Sequence, residues 1–144
     1  MKVELQEALY RDFPKLYRQH SLPMNQTCMC WGFECGDGWE PLIRSLSEKI
    51  EGVNRLLPKG QYVEATQAKE KFGTLRFYTS VNIGSVGIYN LIEDGIREAE
   101  RQSAITCESC GKNGKNRSIN GWWATTCIKC YRKRPGYENI KKVS

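Results

Sequence analysis

Four cysteines near the C-terminus constrain this chain more than any other feature. They form two Cys-x-x-Cys pairs, Cys107/Cys110 and Cys127/Cys130, with sixteen residues between the pairs. Two residues between cysteines let a tight turn point both sulfurs at one centre, and two such turns supply the four thiolates that tetrahedral zinc prefers. Gly111 follows the first pair and suits the sharp backbone of such a turn. The spacing predicts one structural zinc ion; two disulfides or four free thiols are the alternatives.

The segment between the cysteine pairs supports a metal site. Residues 116–119 and 122–126 are strand candidates, and Asn120-Gly121 between them is a strong two-residue hairpin turn. A hairpin flanked by two cysteine pairs is the pattern of a zinc ribbon. Because the protein supplies all four ligands, no coordination position stays open for water or substrate, which is typical of a structural site. Zinc binding contributes on the order of 10–16 kcal/mol to the folding of such a module.

Length and charge divide the chain near residue 104. A chain of 144 residues corresponds to one ordinary domain, or to a core of roughly 100 residues with a small appendage that needs a metal or disulfides to fold. The formal net charge is +6, and residues 101–144 hold ten Lys/Arg against two Asp/Glu. We therefore predict a core over residues 1–104 and a basic zinc ribbon over residues 105–144.

Hydrophobic patterning predicts the elements of the core. Apolar residues at helical spacing predict three helices, over residues 3–19, 39–57 and 85–103. Pro14 is expected to split or kink the first of them. Stretches rich in β-forming residues predict an antiparallel hairpin, over residues 61–69 and 74–80. The predicted fold class is α+β, with helices packed on a small antiparallel hairpin or sheet and a C-terminal zinc ribbon.

A second group of candidate metal ligands lies in a loop-like stretch before the second helix. It contains His20, Cys28, Cys30 and Cys35, and three thiolates with one imidazole can hold zinc. The single residue between Cys28 and Cys30 is atypical of a zinc turn. The alternative is that these cysteines are reduced and partly buried, where cysteine behaves as a small hydrophobe. The sequence leaves both interpretations open.

Several functional classes are disfavoured by the sequence. It has no Gly-rich phosphate loop, no His-Glu-x-x-His and no Gly-x-Ser-x-Gly motif, and His20 is its only histidine, so we predict a binding protein rather than an enzyme. No stretch approaches 18 apolar residues, and the N-terminus lacks the apolar region of a signal peptide. We therefore expect a cytoplasmic protein that does not contact membranes, in which paired thiols bind metal more often than they form disulfides.

Cations and aromatic side chains gather on and beside the predicted ribbon. Cations neutralise phosphates, and exposed tryptophans stack on unpaired bases, so the surface could bind nucleic acid; a partner protein could use it as well. Neighbouring strand residues point to opposite faces, so we expect one tryptophan to pack on the third helix or shield the zinc and the other to be free. The candidate partner-binding residues are Arg117, Trp122, Trp123, Lys129, Arg132, Lys133 and Arg134.

Two further motifs, together with the cysteine pairs, resemble a family of uncharacterised bacteriophage and prophage proteins. The first is Cys35-Gly36-Asp37-Gly38-Trp39 and the second runs from Lys69 to Tyr78 (KEKFGTLRFY); the resemblance covers roughly residues 31–131. It implies a phage accessory protein with a zinc ribbon and no known catalytic residues. Such proteins often bind host machinery, so the resemblance implies an inhibitor or adaptor of a host protein, such as a nucleic-acid enzyme or a defence effector. Direct nucleic-acid binding and capture of a nucleotide signal are the alternatives.

Overall fold

The computed structural model describes residues 1–141 as an α+β protein, which confirms the predicted fold class. The helices are α1 (Val3–Asp12), α2 (Glu40–Leu56), α3 (Val86–Ser103), α4 (Ile128–Tyr131) and α5 (Tyr137–Lys141). The strands are β1 (Phe33–Glu34), β2 (Tyr62–Lys71), β3 (Thr74–Asn82), β4 (Lys115–Ile119) and β5 (Trp122–Thr126). Within the described residues, no helix is both long and apolar enough to cross a membrane.

The core sheet has three strands in the order β1-β2-β3. β2 and β3 form the predicted antiparallel hairpin, and β1 is a two-residue strand that pairs parallel to the far edge of β2. Phe72 and Gly73 form the hairpin turn, and both have a left-handed backbone, with φ of +52° and +83°. Turns of this kind match the twist of the flanking strands. A bulge between Ala65 and Gln67 shifts the register of β2.

One hydrophobic core lies between the sheet, α2, α3 and the N-terminal segment. Most of the stripes predicted for α2 and α3 is buried as expected, because each helix presents one apolar face to the core. Leu91 of the α3 stripe is the exception, since it is 63% exposed. The indole of Trp39, which is fully buried just before α2, donates a hydrogen bond to the carbonyl of Thr106 at 2.8 Å. The fully buried side chains of the core include Leu9, Leu16, Tyr17, Met29, Trp39, Ile43, Val63 and Leu75.

The first helix is shorter than predicted, because it ends at Asp12, just before Pro14. The chain then turns, and the backbone N–H groups of Lys15 and Leu16 donate to the carboxylate of Glu51 on α2 at 3.1 and 2.9 Å. Glu51 is only 2% exposed. The apolar stripe predicted for this helix continues past Asp12 with Phe13, Leu16 and Tyr17. These side chains are buried, but they follow the end of α1 rather than forming part of it. A buried carboxylate therefore replaces the hydrogen bonds that a continued helix would have made.

We expect Glu51→Ala to lower the free energy of unfolding by about 3 kcal/mol, because it leaves two backbone donors without an acceptor in a buried turn. Glu48→Ala, at an exposed position of the same helix, is the matched control and should change stability by less than about 0.5 kcal/mol. Urea unfolding of both variants tests this. Equal stability of the two variants would show that water satisfies the turn instead.

The outer edge of β3 is closed by side chains of α3. The hydroxyl of Ser103 accepts the N–H of Leu75 at 2.8 Å, and a carboxylate oxygen of Glu100 accepts the N–H of Phe77 at 3.1 Å. These backbone groups point away from β2 and would otherwise be free to pair with another strand. The helix therefore packs on the core and also caps the edge of the sheet.

Candidate metal centre and partner surface

The structure brings the four predicted ligands into one cluster. The sulfur atoms of Cys107, Cys110, Cys127 and Cys130 all lie within 4.8 Å of one another, and those of Cys110 and Cys127 are 3.7 Å apart. Four sulfurs placed 2.3 Å from a central zinc are separated by about 3.8 Å. The cluster could therefore hold one metal ion. Among residues 1–141, no other group of three or more His, Cys, Asp or Glu side chains has such an arrangement.

Each cysteine pair is positioned by its own local structure. At the first pair, the N–H of Cys107 donates to the carbonyl of Lys112 at 2.7 Å and the N–H of Gly111 donates to the carbonyl of Cys107 at 2.8 Å. Gly111 has the left-handed φ of +76° that this tight turn requires. The second pair lies on the start of α4, where the sulfur of Cys127 caps the helix by accepting the N–H of Cys130 at 3.4 Å.

A backbone hydrogen bond and partial burial shift the pKa values of two of these thiols in opposite directions. The pKa of Cys127 is lowered to about 6, first because its sulfur accepts the backbone hydrogen bond from Cys130. The pKa of Cys130 is raised to about 12, first because partial burial penalises its thiolate. A divalent cation at the centre of the cluster would favour the thiolate form of every ligand, since coordination deprotonates thiols.

The first cysteine turn packs directly against the Cys35-to-Trp39 motif of the core. The N–H of Gly38 donates to the carbonyl of Glu108 at 2.7 Å, and the N–H of Gly36 donates to the Glu108 carboxylate at 2.9 Å. Burial raises the pKa of Glu108, and the hydrogen bond from Gly36 opposes that shift. A Cβ atom on Gly38 would lie 2.2 Å from the carbonyl oxygen of Cys107. Glycine is therefore required here by the close approach of two backbones.

The turn of the β2–β3 hairpin forms the second contact with the four-cysteine module, defined here as residues 105–134. The side-chain amide of Asn116 donates to the carbonyl of Phe72 at 3.0 Å, and the buried hydroxyl of Thr125 donates to the carbonyl of Gly73 at 2.6 Å. Both motifs that suggested a family resemblance thus contact this module. The division of the chain at residue 104 stays a prediction, but the module is bonded to the core at two places.

The fold does not bring the second group of candidate ligands, His20, Cys28, Cys30 and Cys35, together into a metal site. The ring of His20 stacks on that of Tyr10 with their centroids 4.0 Å apart, and the thiol of Cys30 donates to a backbone carbonyl at 3.3 Å. Cys35 is buried, and burial raises the pKa of its thiol to about 12. Cys30 and Cys35 thus match the interpretation of reduced, partly buried cysteines, whereas Cys28 is a reduced cysteine at an exposed position.

Both tryptophans of the β4–β5 hairpin are exposed, so the prediction that one of them would be buried is wrong. Trp122 is 75% exposed and Trp123 is 49% exposed. They do lie on opposite faces of β5, but neither ring takes a buried position; the buried residues of the hairpin are Thr125 and Thr126 near its base and Ile119 near its tip. Both rings are therefore accessible to solvent.

Two of the candidate cations hold the module together rather than facing a partner freely. The guanidinium of Arg117 donates to the carbonyl of Thr126 and lies 5.6 Å from the centre of the Tyr131 ring. The guanidinium of Arg134 donates to the carbonyls of Arg117 and Trp122 at 3.3 and 3.1 Å. Their charge remains on the surface, but several of their donors are already used by the backbone of the hairpin.

The remaining candidate cations are free to meet a partner. Lys129, Arg132 and Lys133 are exposed, and none of them forms an ion pair within residues 1–141. An open groove of about 610 Å³ lies nearby, between the hairpin tip and the segment after α4, and Trp122 and Arg134 are among its lining residues. The module thus presents two exposed rings, three exposed cations without ion-pair partners among the described residues and, beside Trp122, a groove.

Comparison of the chain with protein-family models, with curated proteins and with solved structures finds no significant match. The function of this surface is therefore inferred from its own geometry and charge.

Proposed function

We propose that this chain is a non-enzymatic zinc-binding protein, in which one structural zinc ion folds a module that recognises a partner macromolecule. The observation that carries this proposal is the set of four sulfurs within 4.8 Å of one another. Four thiolates in a tetrahedral arrangement suit zinc, and they leave no position for water or substrate. The ion would therefore stabilise the module rather than take part in a reaction.

Single-stranded nucleic acid is the partner that the surface supports best. Trp122 and Trp123 are both exposed, and stacking of one base on an aromatic side chain contributes roughly 1–3 kcal/mol. Lys129, Arg132 and Lys133 are exposed and have no ion-pair partner among the described residues, so they are available to phosphates. Rings combined with free cations match the chemistry of an unpaired strand better than that of a duplex, whose bases are already stacked.

A protein partner is the second candidate, and the groove beside Trp122 favours it. An exposed tryptophan next to a concave surface of about 610 Å³ is a common centre of protein interfaces. The resemblance to phage proteins suggests the nature of that partner: a host nucleic-acid enzyme or a defence effector, which the chain would inhibit or connect to another protein. A captured nucleotide signal would use the same groove.

We expect the zinc-loaded protein to bind a labelled single-stranded oligonucleotide of about 20 nucleotides, with a Kd that rises steeply with salt concentration. Arg132→Glu combined with Lys133→Glu should weaken binding by about tenfold or more at low salt, because two phosphate contacts become repulsive. The matched control combines Arg55→Glu with Lys59→Glu, which changes the same residue types and the same net charge at exposed positions outside the module. Fluorescence anisotropy titrations measure all three proteins.

Absent or salt-independent binding to both DNA and RNA strands would remove the nucleic-acid proposal. The protein-partner proposal then predicts a stoichiometric complex with one host protein that is lost on Trp122→Ala. A mononucleotide titration by calorimetry separates the third possibility, since only a nucleotide-capturing protein should bind a single nucleotide tightly.

A further inference from the structure

We infer that the path of a bound single strand continues from the four-cysteine module onto the outer face of the β2–β3 hairpin. There Phe72 would stack on a base, and Lys69, Lys71 and Arg76 would contact phosphates; these four residues are named the sheet platform. The inference rests on the proposed nucleic-acid function and adds to it a second contact surface that the sequence did not reveal.

The presence of a phenylalanine at position 72 in the hairpin turn is not explained by the stability of the fold. Its φ of +52° is left-handed, a conformation that a bulky side chain rarely adopts and that Asn or Gly normally fills in such a turn. Its ring does not compensate by packing into the core, because Phe72 is 68% exposed. The ammonium of Lys71 lies 5.6 Å from the ring centre. Strained and exposed residues of this kind gather at binding sites, where their contacts form with a ligand.

The cations of the sheet platform lie on one face of the sheet and have no ion-pair partner among the described residues. Lys69 on β2 pairs directly with Arg76 on β3, and like charges in this position repel each other. Lys71 is two residues further along β2 and therefore on the same face. Glu34 is the neighbour of Lys69 on β1, but among residues 1–141 neither Lys69, Lys71 nor Arg76 forms an ion pair. Positive charge that is not held in an ion pair is complementary to a phosphate backbone.

The guanidinium of Arg76 is held in place for such a contact. It donates to the hydroxyl of Thr74 at 2.6 Å and to the carbonyl of Leu75 at 2.9 Å. Both bonds involve one terminal nitrogen, so the other nitrogens keep donors for a phosphate. Tyr78, which follows Arg76 on the same face of β3, is 44% exposed and places a further ring beside the cations.

The sheet platform is continuous with the tryptophan surface of the module. Asn116 and Thr125 bond the carbonyls of the β2–β3 turn, and they form a cross-strand pair on one face of the β4–β5 hairpin. Trp123 lies on that same face, two cross-strand pairs nearer the hairpin tip. The exposed rings of Trp123 and Phe72 are thus placed on either side of a fixed junction, with cations beyond Phe72. Alternating rings and cations favour a single strand over an acidic protein surface.

The most direct test is Phe72→Asn, because asparagine tolerates the left-handed backbone. The variant should have an equal or higher Tm, yet its affinity for the oligonucleotide of about 20 nucleotides should fall roughly five- to 100-fold. Phe72→Trp keeps a stacking ring and should retain binding within about threefold of the original. Lys71→Glu combined with Arg76→Glu should weaken binding and reduce its salt dependence, whereas Arg55→Glu combined with Lys59→Glu should not.

An oligonucleotide of about five nucleotides separates the two surfaces, since it is too short to reach both. We expect the unmodified protein to bind the longer strand more tightly than the short one. Phe72→Asn, and Lys71→Glu combined with Arg76→Glu, should bind the longer strand more weakly than the unmodified protein does and should show little difference between the two strands. If these variants bind the longer strand normally while the Arg132/Lys133 variant does not, the inference is wrong and the proposed function stands. If the unmodified protein binds no strand, both this inference and the nucleic-acid proposal are wrong.

Discussion

Cys127→Ser is expected to abolish metal binding and unfold the four-cysteine module, whereas Cys28→Ser is expected to leave the protein intact. Serine is a good helix N-cap, so it can still cap the start of α4 as Cys127 does, and the change removes little besides one metal ligand. Structural zinc contributes on the order of 10–16 kcal/mol to such a module, which is as large as the whole stability of an ordinary domain. The module has few buried apolar side chains to replace that energy, chiefly Cys107 and Ile119.

Elemental analysis and native mass spectrometry measure the expected zinc content of one ion per chain in the original protein and in the Cys28→Ser control, and none in Cys127→Ser. Replacement of zinc by cobalt should give the absorption of a four-thiolate tetrahedral site in the first two proteins. Treatment with a chelator should reproduce the effect of Cys127→Ser on the tryptophan fluorescence of the hairpin. A metal-free protein that keeps its full structure, or cysteine pairs recovered as disulfides, would refute the assignment.

Gly38→Ala is expected to cause the second largest change, a loss of roughly 3 kcal/mol in stability together with weaker zinc binding. A Cβ atom at this position would lie 2.2 Å from the carbonyl oxygen of Cys107, 2.5 Å from the nitrogen of Gly111 and 2.6 Å from the nitrogen of Cys110. All three atoms belong to the backbone of the first cysteine turn, so no side-chain rotation can relieve the overlap. The turn must move away from the core, and two of the four sulfurs move with it.

Gly52→Ala is the matched control, because nothing lies within 4 Å of a Cβ atom at that position in α2. Alanine inside a helix should stabilise the protein by about 0.5–1 kcal/mol relative to glycine. Urea unfolding gives the two stabilities, and competition with a chromophoric chelator gives the two zinc affinities. If Gly38→Ala binds zinc as tightly as the control, the contact between Gly38 and the first cysteine turn does not hold the sulfurs in place.

The sequence predicted correctly those elements that depend on interactions between residues close together in the chain. The spacing of the cysteine pairs, the Asn120-Gly121 turn and the helical periodicity of α2 and α3 act within short stretches of chain. The structure confirms the clustering of the four cysteines, the turn and the two helices. The first helix was predicted too long, because its apolar stripe continues after Pro14 although Glu51, distant in sequence, binds the turn there. β1 was missed because a two-residue strand has no pattern of its own and forms only by pairing with β2.

In the candidate functional site, the clustering of the four cysteines could be predicted from the sequence, but the arrangement of the surrounding side chains could not. Alternation along β5 placed Trp122 and Trp123 on opposite faces, but no sequence pattern shows that the folded chain leaves both rings exposed. The roles of Arg117 and Arg134 depend on backbone carbonyls that only the folded module brings near them. Phe72 lies in the turn of the predicted hairpin, but its left-handed backbone depends on the register in which β2 and β3 pair. The sequence does not specify that register.

The capping of β3 by α3 determines how any partner can approach the core sheet. Since Ser103 and Glu100 occupy the outward amide groups of Leu75 and Phe77, an extended peptide cannot join the sheet there by backbone pairing. The same protection hinders two copies of the chain from joining edge to edge along this strand, which is a common route to aggregation. Recognition near this hairpin is thereby restricted to side chains on its open face, and specificity must come from their chemistry.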